Sequence, residues 1–133
     1  MITIISRWEK TQIPPEIEWL MWGQLKNFGI KRFIFVPIVE EMKRINVEQY
    51  NTMEEALSKV STKNRVFLEP TGTKGMYDLP AANEDVTFIL GSTSTSNVKY
   101  AKKDELYRIN EPRMTDMHPT NAAAVALAFW FGQ

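Results

Sequence analysis

Three loops rich in glycine and hydroxyl groups, together with a single histidine, hold most of what this chain offers for chemistry. Residues 69–80, EPTGTKGMYDLP, place Gly72 and Gly75 where backbone N–H groups can come close to a ligand. Residues 91–96, GSTSTS, form a hydroxyl-rich run that can hydrogen-bond a polar ligand or turn the chain. Residues 113–119 carry His118, the only histidine. Loops of this kind hold a ligand through backbone groups and short side chains, with few ionised groups. They match neither the GxGxxG fingerprint nor a P-loop, which favours a purine edge held by backbone over a phosphate-rich nucleotide. The chain has no cysteine, so disulfide scaffolds, thiol catalysis and cysteine-ligated metals are excluded. With one histidine and carboxylates at no ligand spacing, a metal site is not expected.

Each loop follows an apolar run that must position it. Residues 2–6 read as a first strand, β-branched and closed by Ser6. Pro14 and Pro15 suit a helix start, and Ile17, Leu20, Met21, Leu25 and Phe28 recur at helical spacing before Gly29, which suits a left-handed C-terminal position. Trp19 and Trp22 widen that apolar face toward a second contact surface. Residues 32–37, RFIFVP, look like a central strand buried on both faces. Residues 38–44 could form a short helix. Thr52 followed by Glu55 is a capping-box signature that opens a helix over 53–60. Residues 65–68 and 86–90 are further strands, and 106–109 alternate as a half-buried strand before the turn residues Asn110, Glu111 and Pro112. This alternation predicts an α/β domain with a mostly parallel sheet and helices on both faces. The loops after Leu68, Leu90 and Ile109 would then meet at the carboxyl ends of their strands, where open α/β sheets bind ligands.

The last stretch organises the rest. Thr120 reads as the N-cap of a helix that carries no charge from Ala122 to Phe131. It is too short to span a membrane, which takes about 20 residues. It is expected to be buried, in the core or between two subunits, with Phe129, Trp130 and Phe131 supplying area to a facing surface and Trp19 or Trp22 adding to a homodimer contact.

With 133 residues, the chain fits one domain able to bury a core. Sixteen Lys and Arg balance sixteen Asp and Glu, so net charge makes no case for nucleic acid; Lys99, Lys102 and Lys103 read as a solvated face, with RNA contact the minor reading. The N-terminal apolar run is too short for a signal peptide, which makes a cytoplasmic protein the default expectation.

Taken in order, the chain resembles the SPOUT, or trefoil-knot, RNA methyltransferases, and in particular the SpoU/TrmH-like ribose 2′-O-methyltransferases. NFGIKRFIFVP at 27–37 is similar to the family's first motif, FILGS at 88–92 to its second, and HPTNAAAVALA at 118–128 to its third. Two positions depart from the pattern. The arginine of the first motif has no counterpart in the stretch Trp22, Gly23, Gln24 and Leu25, and Thr93 stands where the second motif usually has glutamate. The resemblance implies a C-terminal trefoil knot and a dimer that methylates tRNA or rRNA. S-adenosylmethionine would lie bent against Glu69, Pro70, Thr71 and Gly72, against Leu90, Gly91 and Ser92, and against Ile109, Met114 and Thr120. Asn121 and Arg113 would hold the substrate, an amide orienting a hydroxyl and a guanidinium gripping a phosphate. The two departures also suit a degenerate SPOUT-like domain that binds RNA or a protein partner. A flavodoxin-like nucleotide-binding domain is a third reading.

Overall fold

A computed structural model of the chain describes residues 1–8, 13–92, 95–109 and 117–133. The described strands form one six-stranded sheet in which all pairs are parallel. In chain order these are β1 (Ile2–Arg7), β2 (Ile30–Val36), β3 (Glu48–Gln49), β4 (Arg65–Leu68), β5 (Val86–Leu90) and β6 (Leu106–Tyr107). Across the sheet the order is β3-β2-β1-β5-β4-β6. A flavodoxin-like sheet would set its third strand beside β1, in the order 2-1-3-4-5. Here β5 takes that place and β4 lies outside it.

Both faces of the sheet are covered, as the continuous apolar runs of β2 and β5 require. On one face Ile4, Phe35, Val66 and Phe88 pack under α1 (Pro15–Leu25) and α3 (Pro119–Phe131), whose Trp22, Leu127 and Trp130 are fully buried. On the other face Ile5, Ile34, Phe67 and Ile89 meet Met53, Ala56 and Leu57 of α2 (Met53–Ser58). The expected three-layer arrangement is therefore present.

Several local readings hold in detail. Thr52 caps α2, its hydroxyl accepting the Glu55 N–H at 3.1 Å. Gly29 takes φ 84° after the turn Lys26–Phe28 that finishes α1. The segment after β2 forms a tight 3₁₀ turn, Glu40–Ile45, in place of a regular helix. The two-residue strand β3 escaped the sequence pattern. It is fastened by a bidentate pair in which Arg32 Nε and Nη2 donate to Glu48 Oε1 and Oε2 at 2.8 and 2.6 Å. That pairing holds the Glu48 carboxyl below its usual range.

The terminal helix departs from its expected burial. Ala122, Ala123, Ala126, Leu127 and Trp130 face the core, whereas Asn121, Ala128 and Phe131 are exposed. Trp22 and Trp130 lie inside the protomer and leave nothing for a second subunit. Apolar surface remains at Ile17 and Leu20 on one face of α1 (50% and 70% exposed), at Phe28 (48%) and at Phe131 (54%). Phe131 reaches toward Gly29, its ring 3.6 Å from where a Cβ would stand. Among the described residues no helix is long and apolar enough to cross a membrane.

Candidate functional site

Strand order brings the carboxyl ends of β5, β4 and β6 side by side, and the loop that follows β4 ties them together. Glu69 leads it. Its N–H donates to Tyr107 O at 2.9 Å, and its carboxylate, in a residue only 7% exposed, accepts the Asn97 N–H at 2.6 Å. A carboxylate opening a loop after a strand would ordinarily point to water. This one fastens the loop after β4 to the segment after β5. Pro70 and Thr71 are exposed, while Gly72 is buried.

Gly72 is required by proximity. A Cβ there would stand 2.2 Å from Tyr107 C and 2.5 Å from both Tyr107 O and Arg108 N, so only a glycine lets this loop lie against the end of β6. The contact continues as a short ladder. Thr73 and Lys74 N–H groups both reach Leu106 O at 3.1 Å, and Arg108 N–H donates to Lys74 O at 2.8 Å.

Leu90 is buried at the end of β5, and the turn that follows closes on itself. Ser92 N–H donates to Thr95 O at 3.1 Å while the Ser92 hydroxyl accepts the Thr95 N–H at 3.1 Å. A Cβ on Gly91 would stand 2.5 Å from that same Thr95 O. Bulk at Gly91 would thus pry this turn open. Ile109 is half-buried and packs on the core. Arg113, Met114 and Thr93, with the turn at Asn110, Glu111 and Pro112, lie outside the described residues.

Two groups that the sequence reading passed over sit beside this rim. Arg7, at the carboxyl end of the central strand β1, donates from Nε to Asn97 Oδ1 at 2.5 Å, with its guanidinium carbon 5.8 Å from the centre of the Tyr100 ring. Asn97 is fully buried, and among the described residues its Nδ2 has no hydrogen-bond partner. An arginine after a β-branched run reads from sequence as the strand's polar stop. Only the parallel pairing of β1 with β5 reveals what it faces.

A second cluster joins α1 to the start of α3. The helix N-cap is His118, whose Nδ1 accepts the Thr120 N–H at 3.2 Å; Thr120, predicted to cap the helix, lies inside its first turn with its hydroxyl 2.8 Å from the same nitrogen. The other ring nitrogen, Nε2, stands 3.3 Å from Glu18 Oε1. Glu18 is 2% exposed, and burial pushes its carboxyl up to about 7, while burial also holds the His118 imidazole below its ordinary value. Asn121 is exposed on α3 and forms no side-chain hydrogen bond among the described residues. Glu18 is absent from the sequence-based candidates because a glutamate in the first turn of a helix ordinarily complements the dipole at the surface. Among the described residues no group of three or more His, Asp or Glu side chains could hold a metal.

Comparison with known proteins gives a fold-level answer. No family profile and no curated sequence matches the chain. Among solved structures, it superposes on a protein from Bacillus anthracis assigned as an RNA methyltransferase, with a TM-score of 0.75 at 15% identity over 99% of this chain and 93% of that one. A structure concerned with 2-OH methylation of C/U34 on tRNA gives a TM-score of 0.72 at 13% identity, covering 99% and 95% of the two chains. A Legionella pneumophila protein assigned as a methyltransferase and solved with bound SAM gives 0.71 at 14% identity, covering 98% and 65%. At these identities what is shared is the fold, an all-parallel sheet between helices.

Proposed function

We propose that this protein is an S-adenosylmethionine-dependent RNA methyltransferase of the SPOUT class, acting on a ribose hydroxyl of tRNA or rRNA. The observation that carries the reading is the glycine-dependent closure of the loop after β4 onto the end of β6, beside the turn after β5, within a fold shared with a protein assigned as an RNA methyltransferase and with the structure concerned with 2-OH methylation on tRNA. Glu69, Pro70, Thr71 and Gly72 would form one wall for the cofactor, Leu90, Gly91 and Ser92 the second, and Ile109, Met114 and Thr120 the third. Once bound, the cofactor supplies an activated methyl group. The protein's task is then to align the acceptor with it, and alignment carries much of the barrier reduction. Asn121 and Arg113 are the groups proposed to hold the RNA. Arg7, fixed by Asn97, adds a guanidinium at the same edge of the sheet.

Calorimetry tests this directly. S-adenosylmethionine or S-adenosylhomocysteine is expected to bind, and ATP and FMN to bind little or not at all; the reverse preference would sink the reading. Binding without methyl transfer to any RNA would favour the degenerate SPOUT-like domain, which the missing first-motif arginine and the Thr93 substitution suit.

The reading includes a C-terminal trefoil knot formed by the segment that ends in α3, a cytoplasmic location and a homodimer. The exposed Ile17, Leu20, Phe28 and Phe131 support the dimer, since apolar surface of this kind is usually covered. Replacing Leu20 with glutamate is expected to shift sedimentation from dimer to monomer at micromolar concentration. A wild-type monomer under those conditions counts against the dimer.

A further inference from the structure

At the carboxyl edge of the sheet one guanidinium is held at one end and left open at the other. Ser6 pairs with Leu90, which sets Arg7 one step further on, level with Gly91 where the turn after β5 begins. Arg7 Nε donates to Asn97 Oδ1 and the Asn97 main-chain N–H donates to Glu69, so the segments after β5 and β4 together fix its direction. Among the described residues nothing pairs with its two Nη groups. Asn97 Nδ2, 3.7 Å from where a Gly91 Cβ would stand, is the buried donor left unpaired. An apolar side chain at 97 would avoid that desolvation cost, so the amide is explained by the arginine it holds.

The surroundings are cationic. Half-buried Tyr100 has the Arg7 guanidinium carbon 5.8 Å and the Lys99 Nζ 5.1 Å from its ring centre, which gathers two positive charges on one ring. Lys102 and Lys103 follow, both exposed. Among the described residues no ion pair joins any of these cations to a carboxylate, whereas the exposed Lys43, Arg44 and Lys63 each have an acid partner. Of the nearby acids, Glu105 accepts the Lys102 main-chain N–H, Glu69 the Asn97 N–H, and Asp104 is exposed.

We propose that Arg7 and Lys99, drawn together by Tyr100, grip a backbone phosphate of the RNA beside the nucleotide to be methylated, a role that rests on the methyl-transfer reading above. A phosphodiester offers two non-bridging oxygens, and a guanidinium whose Nε is already spent meets them with both Nη groups. A lone carboxylate, such as the one on the cofactor, needs a single cation. A polyanion accounts for the lysines that continue from this seat, because its charges continue too. Level with Gly91 in the proposed cofactor wall, Arg7 sets the phosphate next to the methyl donor. Contacts of this kind fix the register of the RNA and leave its sequence unread.

The test measures binding of unmodified tRNA transcripts by fluorescence anisotropy over a range of salt concentrations, and S-adenosylmethionine binding by calorimetry. Arg7→Gln is expected to weaken RNA binding by about tenfold and to lower the slope of log affinity against log salt by about one; Lys99→Gln should lower that slope by a similar amount. Arg7→Lys keeps the charge without the fork, so the slope should return and the affinity only in part. Asn97→Ala should weaken RNA binding in the wild type and add nothing in the Arg7→Gln background, a dependence that a merely structural role would not show. Lys63→Gln, beyond the amino end of β4 on the opposite edge, should change neither affinity nor slope. Cofactor affinity should stay near that of the wild type in the Arg7 and Lys99 variants, and urea unfolding shows that each folds. Wild-type RNA affinity and slope in both Arg7→Gln and Lys99→Gln overturn the phosphate seat and leave the methyl-transfer reading standing. Loss of S-adenosylmethionine affinity in Arg7→Gln with RNA affinity kept also overturns it, because the anion held is then the cofactor's carboxylate. RNA bound with the expected slopes but never methylated overturns the methyl-transfer reading and keeps the seat. No RNA bound by the wild type overturns the seat, whatever the cofactor does.

Discussion

Gly72→Ala is expected to cost about 3 kcal/mol of stability, at the upper end of what overpacking does in a well-packed site, and, on the proposed function, to weaken S-adenosylmethionine binding by about tenfold or more. The added methyl group would overlap three backbone atoms of Tyr107 and Arg108, and backbone cannot rotate away as a side chain can. Relief requires the loop after β4 to lift from β6. That movement strains the bonds from Thr73 and Lys74 to Leu106 O and from Arg108 to Lys74 O, together with the Glu69 N–H bond to Tyr107 O. Gly23→Ala makes the control, because a Cβ there meets nothing within 4 Å and alanine favours the helix. Urea unfolding and calorimetry on both variants check the result. Equal stability of Gly72→Ala and wild type would mean that the two loops do not lie as close as described.

The strands that the sequence shows best are those in the middle of the sheet. Residues 65–68 and 86–90 match β4 and β5 at both ends, because a strand buried on two faces reads as an unbroken apolar run with turn residues on either side. Edge strands give less. Leu106 to Ile109 alternate over four residues, yet β6 pairs for only two of them, since β4 ends at Leu68 and the ladder then passes to Lys74 in the following loop. β3, with two residues held by a side-chain clamp, leaves no periodic trace at all. The swap that sets β5 rather than β4 beside β1 is a property of long-range pairing, and no local pattern encodes it.

The candidate site divides in the same way. Gly72 was legible as a place of close backbone approach, although what approaches it is the protein's own backbone. Charged residues were the blind spot. Glu18 and Arg7 were not singled out, and Glu69 was expected to face a cofactor and not Asn97, because their partners His118, Asn97 and Tyr107 are distant in sequence. His118 was noticed only for being unique. Its pairing across to α1 depends on how α1 and α3 pack on the same face of the sheet, which is tertiary information.

Glu18→Gln is expected to make the protein more stable at pH 8 by about 2 to 3 kcal/mol while leaving it nearly unchanged near pH 4.5, because the pKa difference of a buried acid is a stability term. In the unfolded chain this carboxyl ionises around its ordinary 4.5, whereas in the fold burial delays ionisation to about 7. Between those values the folded state holds the extra proton. Stability therefore falls as pH rises through that window and stays at the lower level above it. Below pH 4.5 both states are protonated and the term vanishes. His118 is the only ionisable side chain in contact with Glu18 among the described residues, and it acts in the opposite sense. Burial depresses its pKa, so the unfolded state takes up its proton first and the cost appears as pH drops below about 6.5. Glutamine keeps the shape and one acceptor oxygen but cannot ionise, so the variant should lose the fall between pH 4.5 and 7 and retain the loss on the acid side. Urea unfolding of both proteins at pH 4.5, 6 and 8 gives the comparison. A stability difference that is the same at all three values would show that Glu18 ionises in the fold as it does in water, and that its carboxyl is not the buried group described here.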